Sequence, residues 1–393
     1  MEAPQPEPPT TAAYEEEWVI GPHNTNFYTR TYSCVDPIAA VAFVHGAAEH
    51  SERFSEMHTN FSTKHNIAVF SFDLRGFGRT ALDKDHRSKD AAYGKSKWEF
   101  QMDDVEWAIE QTAEKFPAVP IFLMGVSMGG GQALGLLCDK ARAENTPVKR
   151  ITGVIAGSPC ITLANPVPKA AVWIVNILSS MKPYMVFPIK NNANDLSRNP
   201  ETNASYLSDP FITQSPGSLQ SLKDMIGGGE ALLNTGYAYW PEKVPVLFLH
   251  GTGDKFTSPK GTEALFEKFP ANDKKLILYP GAYHELHNEP DGVKEKSLSD
   301  VVAFILAHCP PFRAPSPQLE GRGPDIQGFR VGVNAPAPVS TSPSHGTPPL
   351  PPRHSKGHPD GGMWKAHRVG VAGTMDTVDH PHLLNVGSVV TVP

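Results

Sequence analysis

The feature that most constrains this chain is a serine on a glycine-flanked turn that joins two opposite periodicities. The apolar run at residues 120–124 ends in Gly125-Val126-Ser127-Met128-Gly129, and a helical pattern follows through residues 129–143. A strand that turns at once into a helix brings the residues two before and two after the serine nearly into contact, and only residues without a Cβ fit comfortably at both places. Gly125 and Gly129 supply them. The turn holds the serine hydroxyl out beyond the end of the strand, where a ligand can meet it.

Such a turn needs a sheet around it. Further β-like runs lie at 39–44, 67–72, 151–156, 246–250 and 275–278, after two leading runs at 17–20 and 27–33. Between them stand helical patterns at 98–115, opened by Ser96, and at 259–268, opened by Ser258. Short apolar runs alternating with longer helical patterns predict a mostly parallel eight-stranded sheet with helical crossovers, an α/β architecture. The rhythm breaks once. About 80 residues, 160–240, intervene before the next strand, too many for a bare loop, so an inserted helical cap is expected over about 160–241.

Composition separates the folded part from its flanks. Residues 1–13 are Pro-rich and polar, and residues 310–393 hold 15 prolines and 11 glycines in 84 residues, so both ends are expected to be disordered around a folded domain at 14–309. The six histidines of that tail have no thiol or carboxylate partners at ligand spacing, and no metal site or cofactor is expected. With 35 Lys+Arg against 41 Asp+Glu, the net charge of -6 offers no basic footprint for nucleic acid. Four cysteines, none spaced as CxxC, fit a reducing compartment. No secretory signal and no apolar run of about 20 residues is found, which predicts a cytoplasmic protein.

A serine hydroxyl needs a base to activate it and a third group to orient that base. Asp254 follows the strand VPVLFLH in Gly251-Thr252-Gly253-Asp254, and His284 follows KLILY in Gly281-Ala282-Tyr283-His284. Strand carboxyl ends of a parallel sheet face one crevice, so Ser127, Asp254 and His284 are expected to converge there. Asp273 and Asp291 are rival acids and His287 a rival base, but they stand before the strand or farther beyond it. His284-Glu285-Leu286-His287 is one residue short of a helical zinc pair. An oxyanion developing on a substrate carbonyl calls for two N–H donors, expected from Met128 and from Ala47 in the small-residue loop His45-Gly46-Ala47-Ala48-Glu49-His50. Asp73-Leu74-Arg75-Gly76-Phe77-Gly78-Arg79-Thr80 and Gly227-Gly228-Gly229 lack the lysine of a phosphate loop.

These pieces, HGAAEH (45–50), DLRGFGRT (73–80), GVSMGG (125–130), HGTGD (250–254) and GAYHELHNE (281–289), with Leu196-Ser197-Arg198-Asn199-Pro200, Tyr206 and Asp209-Pro210, resemble the monoacylglycerol lipases. That group lies within the α/β-hydrolase superfamily beside lysophospholipases and serine aminopeptidase (S33)-like enzymes. The resemblance implies an α/β-hydrolase fold and hydrolysis of monoacylglycerol to fatty acid and glycerol through an acyl-enzyme on Ser127, with Asp254 and His284 completing a triad and Ala47 and Met128 as oxyanion donors. Ala48 departs from the pattern, standing where the family usually has glycine.

The insertion points independently to a greasy substrate. Residues 169–188 are apolar on most faces, and Trp173, Ile174, Ile177 and Leu178 are the expected substrate-binding side chains, with peripheral contact to membranes or lipid droplets as a further expectation. The alternatives keep the machinery and change the leaving group to a lysophospholipid, another carboxylic ester or a peptide amino terminus. From a different class comes a noncatalytic lipid carrier that uses its Pro-rich tail for docking. Oligomeric state is not legible.

Overall fold

The computed structural model describes residues 13–186 and 190–309. The Pro-rich amino-terminal stretch and the segment from 310 onward, with its six histidines, lie outside the described residues. Eight strands form one sheet: β1 (Glu15–Gly21), β2 (Thr25–Tyr32), β3 (Ala39–Val44), β4 (Ile67–Phe72), β5 (Ile121–Val126), β6 (Ile151–Gly157), β7 (Val246–Gly251) and β8 (Lys274–Tyr279). Their order is β1-β2-β4-β3-β5-β6-β7-β8, antiparallel from β1 to β4 and parallel from β4 to β8.

The helices are α1 (Ser55–His65), α2 (Gly78–Leu82), α3 (Trp98–Lys115), α4 (Met128–Cys138), α5 (Thr146–Lys149), α6 (Lys169–Met181), α7 (Pro200–Ser208), α8 (Leu219–Asn234), α9 (Pro259–Lys268) and α10 (Val293–His308). Strand side chains alternate between faces, and this decides which helices they meet. Val44, Phe72, Leu123, Val154 and Phe248 pack with Val105, Leu134 and Leu265 of α3, α4 and α9. Their neighbours Phe43, Val69, Phe122, Ile155 and Leu249 face Phe61 of α1 and Val301 and Ile305 of α10. With both faces covered, the central strands are apolar throughout, which is why they read as continuous runs.

Two local expectations are corrected. Ser96 does not cap α3: the N-cap is Lys97 without a side-chain bond, and Trp98 N–H donates 2.8 Å to Asp224 of α8. Helix α4 stops at Cys138, short of 143, because Asp139 turns extended and its Oδ1 accepts from the N–H of Ala141 and Arg142. Ser258 does cap α9, accepting from Gly261 N–H.

Between β6 and β7 the chain leaves the sheet and builds α6, α7 and α8 beside the strand carboxyl ends. The segment is tied to the loop that follows β8. Leu196 carbonyl accepts from Glu285 N–H at 2.9 Å, while Ser197 Oγ and Arg198 Nε bond the two oxygens of Glu289 at 2.9 and 2.7 Å. Glu289 Oε2 also accepts from Tyr283 N–H, so the Leu196-Ser197-Arg198 segment anchors the loop on which His284 stands.

Candidate active site

Ser127 joins β5 to α4 at φ 56°, ψ -119°. A left-handed non-glycine residue is held only when its surroundings over-determine it. Here Ser127 N–H donates to Gly157 carbonyl at 2.9 Å, and its own carbonyl accepts from Cys160 N–H at 2.9 Å and Gly131 N–H at 3.1 Å. A Cβ on Gly125 would stand 2.2 Å from the Gly129 carbonyl, and one on Gly129 2.3 Å from the Val44 carbonyl. Both are backbone contacts that no rotamer change relieves. The turn also sets the Gly46 backbone beside the serine, where a Cβ on Gly46 would reach within 2.9 Å of Ser127 Cβ.

Asp254 Oδ2 lies 2.6 Å from His284 Nδ1, and both side chains are buried. The same oxygen accepts from Thr257 Oγ1 at 2.7 Å and from His250 at 3.1 Å, while Oδ1 accepts from the N–H of Phe256 and Thr257 at 2.8 and 3.0 Å. Burial alone pushes the carboxyl upward, but the charge of His284 and the bonds from His250 and His284 outweigh it and hold Asp254 well below the usual carboxylate range. His284 moves the opposite way. Burial lowers it, yet Asp254, then Glu49 and Glu285, raise it above 6.5. A carboxylate at Nδ1 fixes the tautomer and leaves Nε2 as the free ring nitrogen.

Ser127 and His284 line one cavity of about 990 Å³. Ser127 Oγ makes no hydrogen bond with any described residue, and contacts of this kind often tighten only when substrate is bound. Met128 N–H, at the start of α4, and Ala47 N–H likewise donate to no described group. These two donors flank the serine from the helix and from the loop after β3. Ala48 takes φ 58°, the left-handed conformation that glycine adopts freely, so its departure from glycine is held at a strained angle.

The rival residues are occupied elsewhere. Asp273 pairs with His308 and Asp291 with Arg198, both at 3.1 Å. His287 is half-buried with its ring against Phe54, and desolvation lowers it to about 4. Asp73 closes its own turn, accepting from Ser51 N–H and Arg79 N–H. The three consecutive glycines lie inside α8, where Gly228 abuts Trp98 and Gly229 abuts the Ile161 carbonyl.

One expected set is corrected. Trp173, Ile174, Ile177 and Leu178 do not line the cavity; Val172, Val175 and Asn176 do, facing Leu222, Ile226 and Ala231 of α8. Helix α6 is apolar nearly all round, so periodicity could not choose its inner face. Trp173 is 65% exposed and Met181 74%. A polar group beside His284 also went unread. Arg53 Nη2 contacts both oxygens of Glu285 at 2.7 and 2.8 Å, its Nε lies 3.9 Å from Glu49 Oε2, and its Cζ sits 5.1 Å from the centre of the Tyr206 ring. Glu49, accepting from Gly46 N–H, is pushed up to about 7 by burial and by Glu285, while Arg53 holds Glu285 down despite its burial. The Glu49 signal was present in the segment HGAAEH; Arg53 and Tyr206 meet it only through the fold.

Two substitutions test the strained turns. Gly129→Ala is expected to destabilise the fold by about 3 kcal/mol, because the added methyl meets the backbone carbonyls of Val44 and His45. Ala48→Gly is expected to stabilise it by up to about 1 kcal/mol, since relief of left-handed strain exceeds the added chain entropy. Urea unfolding checks both, and a lower midpoint for Ala48→Gly would mean that packing of its methyl outweighs the strain.

The geometry agrees with known proteins. The serine aminopeptidase S33 family matches residues 35–291. The chain is 30% identical over 293 residues to a putative monoglyceride lipase of Schizosaccharomyces pombe, covering 73% of this chain and 72% of that one. It is 28% identical to a monoacylglycerol lipase of Mycolicibacterium smegmatis, covering 70% and 90%. Among solved structures, a soluble variant of the monoglyceride lipase of Saccharomyces cerevisiae superposes with a TM-score of 0.67 at 24% identity, over 79% of this chain and all of that one. A serine at a strand-to-helix turn, an acid–imidazole pair from later strand ends and this sheet order belong together: the chain is a serine hydrolase with the α/β-hydrolase fold, a member of the serine aminopeptidase S33 family on its lipase and esterase side.

Proposed function

We propose that this protein hydrolyses monoacylglycerols through an acyl-enzyme on Ser127. The observation that carries the reading is one cavity that joins Ser127, His284, Glu49 and Glu285 to apolar side chains of α6 and α8, Val172, Val175, Leu222 and Ile226 among them. Its volume, about 990 Å³, is at the upper end of ordinary ligand pockets and suits a long acyl chain. Each buried methylene contributes about 0.8 kcal/mol, so the apolar end supplies most of the affinity.

In this mechanism His284 Nε2 takes the proton of Ser127 Oγ as the oxygen attacks the ester carbonyl. The oxyanion is stabilised by the N–H groups of Ala47 and Met128. The imidazolium, held by Asp254, returns its proton to the departing glycerol oxygen, and a water activated by the same imidazole releases the fatty acid. Glu49, Glu285 and Tyr206, which line the cavity, give the leaving alcohol hydroxyl partners, and Arg53 holds Glu285 from behind. A second reading, release of a peptide amino-terminal residue, draws on those two carboxylates. It is weaker, because Arg53 neutralises Glu285 and burial pushes Glu49 up to about 7, so that near neutrality it is only partly ionised and little fixed charge is left for an ammonium. The exposed Trp173, Ile174 and Met181 on α6 support contact of the cap with a lipid surface.

A substrate panel of monoolein, lysophosphatidylcholine and an aminoacyl anilide decides the first point. Monoolein should be the preferred substrate, and Ser127→Ala should abolish both turnover and fluorophosphonate labelling. Preference for the anilide would reject the reading. For the pair behind the serine, the protonated imidazole is inactive and His284 is raised, so kcat/KM with a soluble ester should climb through a limb above pH 6.5. Asp254→Asn removes the charge that raises it, moving the limb to lower pH and cutting kcat by about 10³–10⁴-fold. At the cap, the double substitution Trp173→Ser, Met181→Ser should weaken sedimentation with phosphatidylcholine vesicles severalfold and spare a soluble ester. Undiminished sedimentation would exclude that face.

A further inference from the structure

His250 stands one residue before the end of β7 and is fully buried. The preceding strand residues are Val246, Leu247, Phe248 and Leu249, so the imidazole is the one polar side chain in an apolar run. Burying it requires a partner for each ring nitrogen. Both are present. Nε2 lies 3.1 Å from Asp254 Oδ2, and Nδ1 lies 2.9 Å from Thr262 Oγ1 on α9. A carboxylate only accepts, so Nε2 carries the proton, and in the neutral ring Nδ1 accepts from the Thr262 hydroxyl. His284 meets the same Oδ2 at 2.6 Å. Two imidazoles therefore share one carboxylate oxygen, one from a rigid strand and one from a loop.

We propose that His250 is a positioning residue for the hydrolysis: through Asp254 it fixes the direction and the charge that His284 meets. This rests on the reading of Ser127, Asp254 and His284 given above. The N–H groups of Phe256 and Thr257 pin Oδ1, yet a carboxylate pinned at one oxygen still pivots about it. The strand-borne ring of His250 and the Thr257 hydroxyl hold the other oxygen. A donor on Oδ2 also takes a share of the negative charge that otherwise falls on His284, so its loss should favour the imidazolium and raise the acidic limb of the pH profile. The other ionisable groups facing the pair are Glu49 and Arg53 from the segment after β3, Cys160 after β6, and Glu285 and His287 after β8; none changes in the variants below.

The test is steady-state kinetics of the full chain with p-nitrophenyl butyrate across pH, on His250→Leu, His250→Gln, Thr262→Val and Ser127→Ala. Loss of the donor in His250→Leu should lower kcat about tenfold with KM within about twofold, and move the acidic limb of kcat/KM to higher pH. His250→Gln, whose amide reaches the same oxygen as a donor, should restore most of kcat. Thr262→Val, which removes the hydroxyl that polarises the ring, should move the limb in the same direction by less, and it carries the test should His250→Leu not fold. A folded His250→Leu chain with wild-type kcat and limb, a glutamine variant no better than leucine, or, where leucine does not fold, an unmoved limb in Thr262→Val would overturn the proposal. Ser127→Ala separates the two levels: turnover surviving there defeats the triad reading itself, whereas its loss alongside wild-type His250 variants defeats this inference alone.

Discussion

The left-handed turn at Ser127 is the constraint from which the rest of the site follows. It is unfavourable by itself, on the order of 1–3 kcal/mol, and persists because three backbone hydrogen bonds and two close approaches leave the chain no alternative. Gly125 and Gly129 admit each other, and Gly129 admits the end of β3. That second contact matters for chemistry, because it draws the loop after β3, with Gly46 and Ala47, up against the serine. The geometry that exposes the hydroxyl thus also brings the Ala47 N–H beside it. The strained turn and the placing of the two N–H groups proposed as oxyanion donors are here one structural event.

Burial supplies the electrostatics. Asp254 is almost wholly removed from water, a position that ordinarily favours the protonated acid, yet five donors on its two oxygens reverse the balance. The resulting buried charge is what raises His284. Close by, Glu49 lacks such a set of donors and is pushed up to about 7, while Glu285, with Arg53 on both oxygens, is held down. Among three neighbouring buried carboxylates, Asp254 and Glu285 are therefore held down and Glu49 is pushed up, for reasons visible in their partners. The fold uses that difference to keep one negative charge fixed behind the imidazole and the neighbouring group close to neutral.

Much of this was legible in the sequence because the informative signals were local. A strand, a G-x-S-x-G turn and a helix are contiguous, and a parallel sheet gathers its strand carboxyl ends on one edge, so Asp254 and His284 are expected together from their places alone, and the structure sets them 2.6 Å apart. Asp273 and His287 are separable by the same reasoning: one precedes β8 and the other lies too far past it. What could not be read depends on distant contacts. Arg53 reaches Glu285 across 232 positions, and Ser96 lost its capping role to Asp224, 126 positions beyond Trp98. Helix α6 shows the limit most plainly. Being apolar almost all round, it gave no periodic signal for which residues face inward, and α8 decided that in favour of Val172 and Val175.

The two faces of α6 then describe a division of labour within one helix. Its inner side chains complete a cavity wall with α8, while Trp173 and Met181 remain in water, where isolated large apolar groups are ordinary but a run of them along one helix is not. The rest of the insertion is not free in this way. Leu196, Ser197 and Arg198 are bonded to the loop that bears His284, Asp209 pairs with His50 at 2.8 Å, and Tyr206 lies against Arg53. One side of the cap is therefore fastened to the residues flanking the serine and the imidazole, and α6 carries a row of exposed apolar side chains, Trp173, Ile174, Ile177 and Met181. On the function proposed above, a substrate arriving from a lipid phase would meet α6 first and the polar group last, the order that suits an amphiphile with a long tail and a small hydroxylated head.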